Sequence, residues 1–119
     1  MKIAVSAEGP DKDSSCCPRF GRAPYFVIYD DETKEYSPID NVQNLNAASG
    51  AGVQSALTVS QAGGERVISG HIGPKALSVL QAAGIKVTIG ASGTVAETLA
   101  AFKEGRLEDV QAADVPPHW

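Results

Sequence analysis

From Gly50 to Gly105 the chain alternates helix-like and strand-like stretches, each helix closed by glycine, and that rhythm restricts it to an α/β layer fold. Val53, Ala56, Leu57 and Ser60 give a helical stripe that Gly63-Gly64 ends. Arg66-Val67-Ile68-Ser69 reads as a short strand. Gly70-His71-Ile72-Gly73 turns it into a helix with Pro74 at the first position, where a missing N–H costs nothing. Ala76, Leu77, Leu80 and Ala83 form the buried face of that helix, and Gly84 closes it. Ile85, Val87 and Ile89 alternate as a last strand. Thr94-Val95-Ala96-Glu97 is a capping box, with Val95, Leu99 and Phe102 as the apolar face and Gly105 as the stop.

The first half supplies strands. Lys2 to Ser6 alternates polar and apolar residues, and Tyr25 to Tyr29 is rich enough in aromatic and β-branched residues for a central strand. Glu35 to Ile39 is weaker, and its Pro38 suits an edge. Between the first two strands runs a loop from Ala7 to Pro24, long enough in a compact domain to be functional or mobile. The order is β-β-β-α-β-α-β-α. Right-handed crossovers make the later strands parallel, while the short Tyr29–Glu35 connection makes an antiparallel hairpin, so the sheet is mixed. Residues 1–107 read as one domain, and 108–119, with Pro116-Pro117, as a loosely attached tail.

With 10 Lys and Arg against 14 Asp and Glu among 119 residues, the net charge of −4 argues against non-specific binding to nucleic acid or a membrane surface. The longest apolar run, Tyr25 to Tyr29, is far short of the ~20 residues that span a bilayer. Met1 to Val5 is too short for a signal-peptide core, which makes the cytoplasm the expected address. Cys16 and Cys17 are adjacent and would close only a small strained ring, so two thiols in a reducing compartment are expected. Both fall in the long loop, outside the apolar periodicities of the core; they are either unimportant loop thiols or a redox or metal-responsive pair. Zinc is disfavoured, because there is no C-x-x-C and His71 and His118 lack finger-like spacing. The chain has no G-x-S-x-G elbow, Walker loop or H-E-x-x-H helix. Gly50 to Ser55 half-matches a dinucleotide fingerprint but lacks its third small residue and follows the polar loop Asn41 to Ala48.

What stands out is backbone built to receive an anion. Gly50 and Gly52 open one helix, and Gly70 and Gly73 lead into the next. Helix starts present unpaired N–H groups and partial positive charge. Arg19 and Arg22 in the long loop can each donate a forked pair of hydrogen bonds. If these loops gather at one sheet edge they form a pocket for a compact polyanion. Otherwise the glycines only turn and cap, and the arginines are solvated.

Phe20-Gly21-Arg22-Ala23-Pro24-Tyr25-Phe26 resembles a segment of the dinitrogenase iron–molybdenum cofactor biosynthesis family. Further resemblances follow in order at Gly50-Ala51-Gly52, Ile72 to Leu77, Ala83 to Val87, and Gly93-Thr94-Val95 through Phe102, covering Met1 to about Leu107. The family includes NifX- and NafY-like carriers and the small orange proteins that hold a molybdenum–copper sulfide cluster. The resemblance implies a ribonuclease H-like, five-stranded mixed sheet with three helices, and cofactor handling without turnover. Nuclease chemistry is not implied, since Lys2 to Ser6 carries no carboxylate to hold a catalytic metal.

Two positions depart from the family pattern. Arg19 and Ser49 stand where many members place His, leaving His71, Cys16 and Cys17 as candidate metal ligands. Losing imidazoles while gaining Arg19 favours holding an anionic cluster by charge and hydrogen bonds. The expected function is therefore a non-enzymatic carrier of an anionic metal–sulfur cluster, molybdenum–iron or molybdenum–copper, serving cofactor-assembly or acceptor proteins. Its binding set is Arg19, Arg22, Ser49, Gly50, Gly52, Gly70, His71 and Gly73. The alternatives are an adaptor domain that binds a protein through the same loops without metal, and a thiol redox sensor using Cys16 and Cys17.

Overall fold

A sheet whose strands carry apolar residues on both sides has to be covered twice. A computed structural model describes residues 1–44 and 50–115 of the chain. Its elements are β1 (Lys2–Ala7), β2 (Tyr25–Asp30), β3 (Glu35–Asp40), α1 (Ala51–Gln61), β4 (Arg66–Ser69), α2 (Pro74–Ala82), β5 (Lys86–Ile89), α3 (Val95–Lys103) and β6 (Glu108–Asp109). The strands form one sheet in the order β3-β2-β1-β4-β5-β6. β1, β4 and β5 are parallel, while β2, β3 and β6 run antiparallel to their neighbours. Successive side chains of a strand face opposite ways. Ala4, Phe26, Ile28, Val67 and Val87 pack with Ala56, Val59, Leu77 and Leu80 of α1 and α2. Ile3, Val5, Val27, Tyr29 and Ile68 pack with Val95 and Leu99 of α3. The result is two helices on one face and one on the other. Among the described residues no helix is long and apolar enough to cross a membrane.

The mixed sheet, the three helices and the capping box of α3 agree with the sequence reading, but the sheet has six strands and not five. The sixth, Glu108–Asp109, lies in the stretch expected as a loose tail. Both its residues are exposed, and beyond the ladder with β5 a charged contact holds it. Arg66 is 8% exposed, and its Nη1 donates to Thr88 Oγ1 at 2.7 Å and to Asp109 Oδ1 at 2.6 Å, while its guanidinium lies 4.8 Å from the Phe102 ring centre. The Thr88 hydroxyl and then Arg66 hold the Asp109 carboxyl below the usual carboxylate range. A depressed folded-state pKa contributes stability above the unfolded value that is lost as pH falls through the folded one. Urea midpoints are therefore expected to stay level from neutrality to about pH 5 and to drop below about pH 4. Asp109→Asn should flatten part of that drop; an identical acid limb in the variant would show that Asp109 does not contribute.

The α1 stripe also differs. Ala51, Ser55, Ala56 and Val59 face inward, and Leu57 is 40% exposed. The cause is Asn41, which is fully buried although the sequence places it in a polar loop. Its Nδ2 donates to Ala23 O at 2.8 Å and to Ser55 Oγ at 2.9 Å, and its backbone N–H to Pro24 O at 2.8 Å. Burial this complete requires partners, and the need to present Ser55 to Asn41 turns the helix.

Candidate functional site

The parallel strands β1, β4 and β5 all end at one edge, and antiparallel pairing of Ala7 with Tyr25 and of Tyr25 with Asp40 brings the start of β2 and the end of β3 there too. The connections after β1, β3, β4 and β5 consequently share that edge. In open α/β sheets the carboxyl ends of the strands are where ligands bind.

The long loop from β1 to β2 is stitched down along its length. Cys17 N–H donates to Ser6 O at 2.9 Å, Cys16 N–H to Gly93 O at 2.9 Å, and His71 N–H to Pro18 O at 2.8 Å. The buried Ser6 hydroxyl donates to Cys17 O at 2.7 Å and shares a 2.9 Å bond with Ser69 Oγ. The loop also closes the start of α3, since Val95 and Ala96 N–H groups donate to Ser14 O and Lys12 O, both at 2.9 Å. That helix end is occupied. By contrast, among the described residues α1 and α2 have neither a side-chain cap nor an acidic residue in the first turn.

Close backbone packing draws these two helix starts to the arginine loop. A Cβ on Gly21 would lie 3.0 Å from Gly52 Cα, and one on Gly52 would lie 3.3 Å from Ala76 Cβ. The 3-10 turn Phe20–Arg22 thus rests on the first turn of α1, which rests on the first turn of α2. Arg19 pairs with His71 in a short parallel bridge. Phe20, 1% exposed and 5.2 Å from the Phe26 ring, anchors the turn in the core, and Arg22 is exposed. The structure therefore brings Arg19, Arg22, Gly50, Gly52, His71 and Gly73 to one edge. Gly50 has φ +81°, a conformation that suits glycine. Gly70 is there for a different reason from the one its sequence context suggests: a Cβ would lie 2.7 Å from Pro18 O, so the residue serves the crossing of two backbones. Ser49, like His118, lies outside the described residues.

The two cysteines are not simple loop thiols. Extended backbone sends them to opposite faces, Cys17 into the α1–α2 side of the core at 4% exposure and Cys16 against the α3 side. Burial pushes the Cys17 thiol up to about 11, and burial also raises Cys16, whose Sγ is 3.0 Å from Thr98 Oγ1. Both are protonated at neutral pH, and they do not face one another. Among the described residues no group of three His, Cys, Asp or Glu side chains forms a metal shell. His71 instead meets Asp114, whose Oδ2 is 2.7 Å from Nδ1 and whose Oδ1 accepts the Ile72 N–H at 2.8 Å. Burial works against the Asp114 charge, but those two bonds outweigh it and keep the carboxyl below its ordinary value. Asn41 and Asp114 escape sequence reading altogether, because neither stands in an apolar period or a motif.

Comparison with known proteins agrees with this architecture. The model of the dinitrogenase iron-molybdenum cofactor family matches residues 1–105. The apo form of the orange protein from Desulfovibrio gigas superposes with a TM-score of 0.92 at 37% identity, over 96% of each chain. A putative NifB protein from Thermotoga superposes with a TM-score of 0.84 at 35% identity, over 96% of this chain and 97% of its own. An uncharacterized protein of Methanocaldococcus jannaschii is 34% identical over 110 residues, 91% of this chain and 90% of its own.

Proposed function

The chain belongs to the dinitrogenase iron-molybdenum cofactor family, and from that premise we propose that it binds an anionic metal–sulfur cluster and hands it to a cofactor-assembly or acceptor protein without transforming it. The observation that supports this reading is the gathering of Arg19, Arg22 and His71 with the starts of α1 and α2 at one sheet edge. A compact polyanion seated there would meet two guanidinium forks, carried on a turn that backbone packing fixes, and two positive helix ends. Charge-assisted hydrogen bonds to cluster sulfides hold the cargo, and the lack of a closed metal shell among the described residues leaves it transferable. The cargo in this reading is molybdenum-containing, with iron or copper as the second metal. We read the sheet as the ribonuclease H-like arrangement with β6 added.

The test is anaerobic addition of tetrathiomolybdate with copper(I). New visible bands should travel with the protein through gel filtration; metal that elutes wholly apart from protein sinks the proposal. Within that assay Arg22→Ala should weaken binding by about 10- to 100-fold, the worth of a hydrogen bond to a charged group at roughly 1.5–3 kcal/mol. Lys103→Ala is the control. Its Nζ is 3.2 Å from Tyr29 Oη and 4.6 Å from that ring's centre, toward the opposite end of the sheet. Raising salt to about 1 M, where screening acts within about 3 Å, should weaken binding further. Equal losses in the two variants, with affinity indifferent to salt, would mean the arginines do not hold the anion.

A further inference from the structure

We propose that Asp114 is a positioning residue for His71, fixing the imidazole with its proton on Nδ1 so that Nε2 offers a lone pair to a metal atom of the cargo. The proposal rests on the cargo-binding reading above and adds a role for a residue that no motif marks. Asp114 is reached by an unusual path. After β6 the chain stays on β5 for one more residue, Val110 N–H donating to Val87 O at 2.9 Å, and then meets α2, where Gln81 Nε2 donates to Gln111 O at 3.0 Å. It then arrives at the loop before α2, where Asp114 N–H donates to Ile72 O at 3.3 Å.

There the carboxylate divides its work. Oδ1 accepts the Ile72 N–H and Oδ2 faces His71 Nδ1, so both oxygens are committed and the carboxylate is fixed in position and rotation. A carboxylate can only accept, which requires the hydrogen on Nδ1. Such outer partners set which nitrogen of a ligating His meets the metal and make it more basic. An Nε2 lone pair cannot donate to sulfide; it suits a thiophilic metal ion in the cluster. His71 would then supply one direct bond beside the charge contacts of Arg19, its neighbour across the bridge.

Asp114→Asn separates orientation from packing. The amide keeps an acceptor for the Ile72 N–H but turns an NH₂ donor toward Nδ1, which favours the opposite tautomer. Long-range ¹H–¹⁵N spectra of the metal-free protein, at about pH 8, above the ordinary imidazole range, read the tautomer directly. The wild type should show the Nδ1–H form and Asp114→Asn the Nε2–H form. With tetrathiomolybdate and copper(I), Asp114→Asn should bind about 10- to 100-fold more weakly. Adding it to His71→Ala should cost nothing more, since the two act as one unit. A wild-type ring protonated on Nε2, or wild-type affinity in Asp114→Asn, overturns the proposal. If the wild type takes up no cargo, the cluster-carrier function fails, and the tautomer spectra alone then decide whether Asp114 orients the ring.

Discussion

Phe20→Ala is expected to lower the unfolding free energy by about 3–5 kcal/mol, the usual cost of emptying a buried aromatic site. Phe20 is 1% exposed and tilts against Phe26, so little water or backbone can fill the space. Against a total stability of roughly 5–15 kcal/mol the variant should still fold, with a much lower urea midpoint. The effect should reach the site as well, because the ring lies between Arg19 and Arg22 and fastens their turn. Phe20→Leu, which keeps most of the volume, should recover much of both losses. A midpoint within experimental error of wild type for Phe20→Ala would mean that the turn is fastened by something else.

Gly70→Ala should be nearly as costly, about 3 kcal/mol, at the upper end of what overpacking produces. The added methyl meets backbone on the other side, at 2.7 Å from Pro18 O and 2.8 Å from Pro18 Cα, and backbone cannot swing away as a long side chain can. Separating the two backbone segments also stretches the His71 N–H to Pro18 O bond and draws Arg19 from His71. Gly84→Ala is the comparison. Gly84 has φ +75°, and a methyl added there would meet nothing within 4 Å, so only the left-handed backbone is penalised, by about 1–2 kcal/mol. Paired denaturation curves showing the larger loss at Gly84 would refute the close crossing at Gly70.

These two sites show what a sequence discloses and what it withholds. Periodicity finds elements whose burial is periodic, and β2, β4, α2 and the capped α3 have bounds close to those their patterns predict. It misses elements held by polar groups. β6 is an acidic dipeptide kept in place by Arg66 and Thr88, and no alternation announces it. The inward face of α1 is rotated because Ser55 answers the buried Asn41 amide, a partnership between residues that look polar and solvated when read alone. Cys17 lies in a loop by pattern and in the core by position, since the loop adds a short extended run beside β1. The loops proposed to receive the anion are legible from their glycines and arginines. Their meeting at one edge follows from strand direction, which the crossover rule supplies. The Asp114 contact joins residues far apart in sequence and depends on a tail whose path nothing local dictates.

The turn from Arg19 to Ala23 divides its labour residue by residue, with Phe20 and Ala23 buried, Gly21 pressed on α1, and Arg22 outside. Mutation can therefore explore the outward position while the inward ones go on specifying the same scaffold. A lineage carrying this turn is free to change the charge it presents at position 22 in a single step, without refolding. Diversity of outward side chains among descendants, on a backbone that scarcely drifts, is the evolutionary signature such a division of labour leaves.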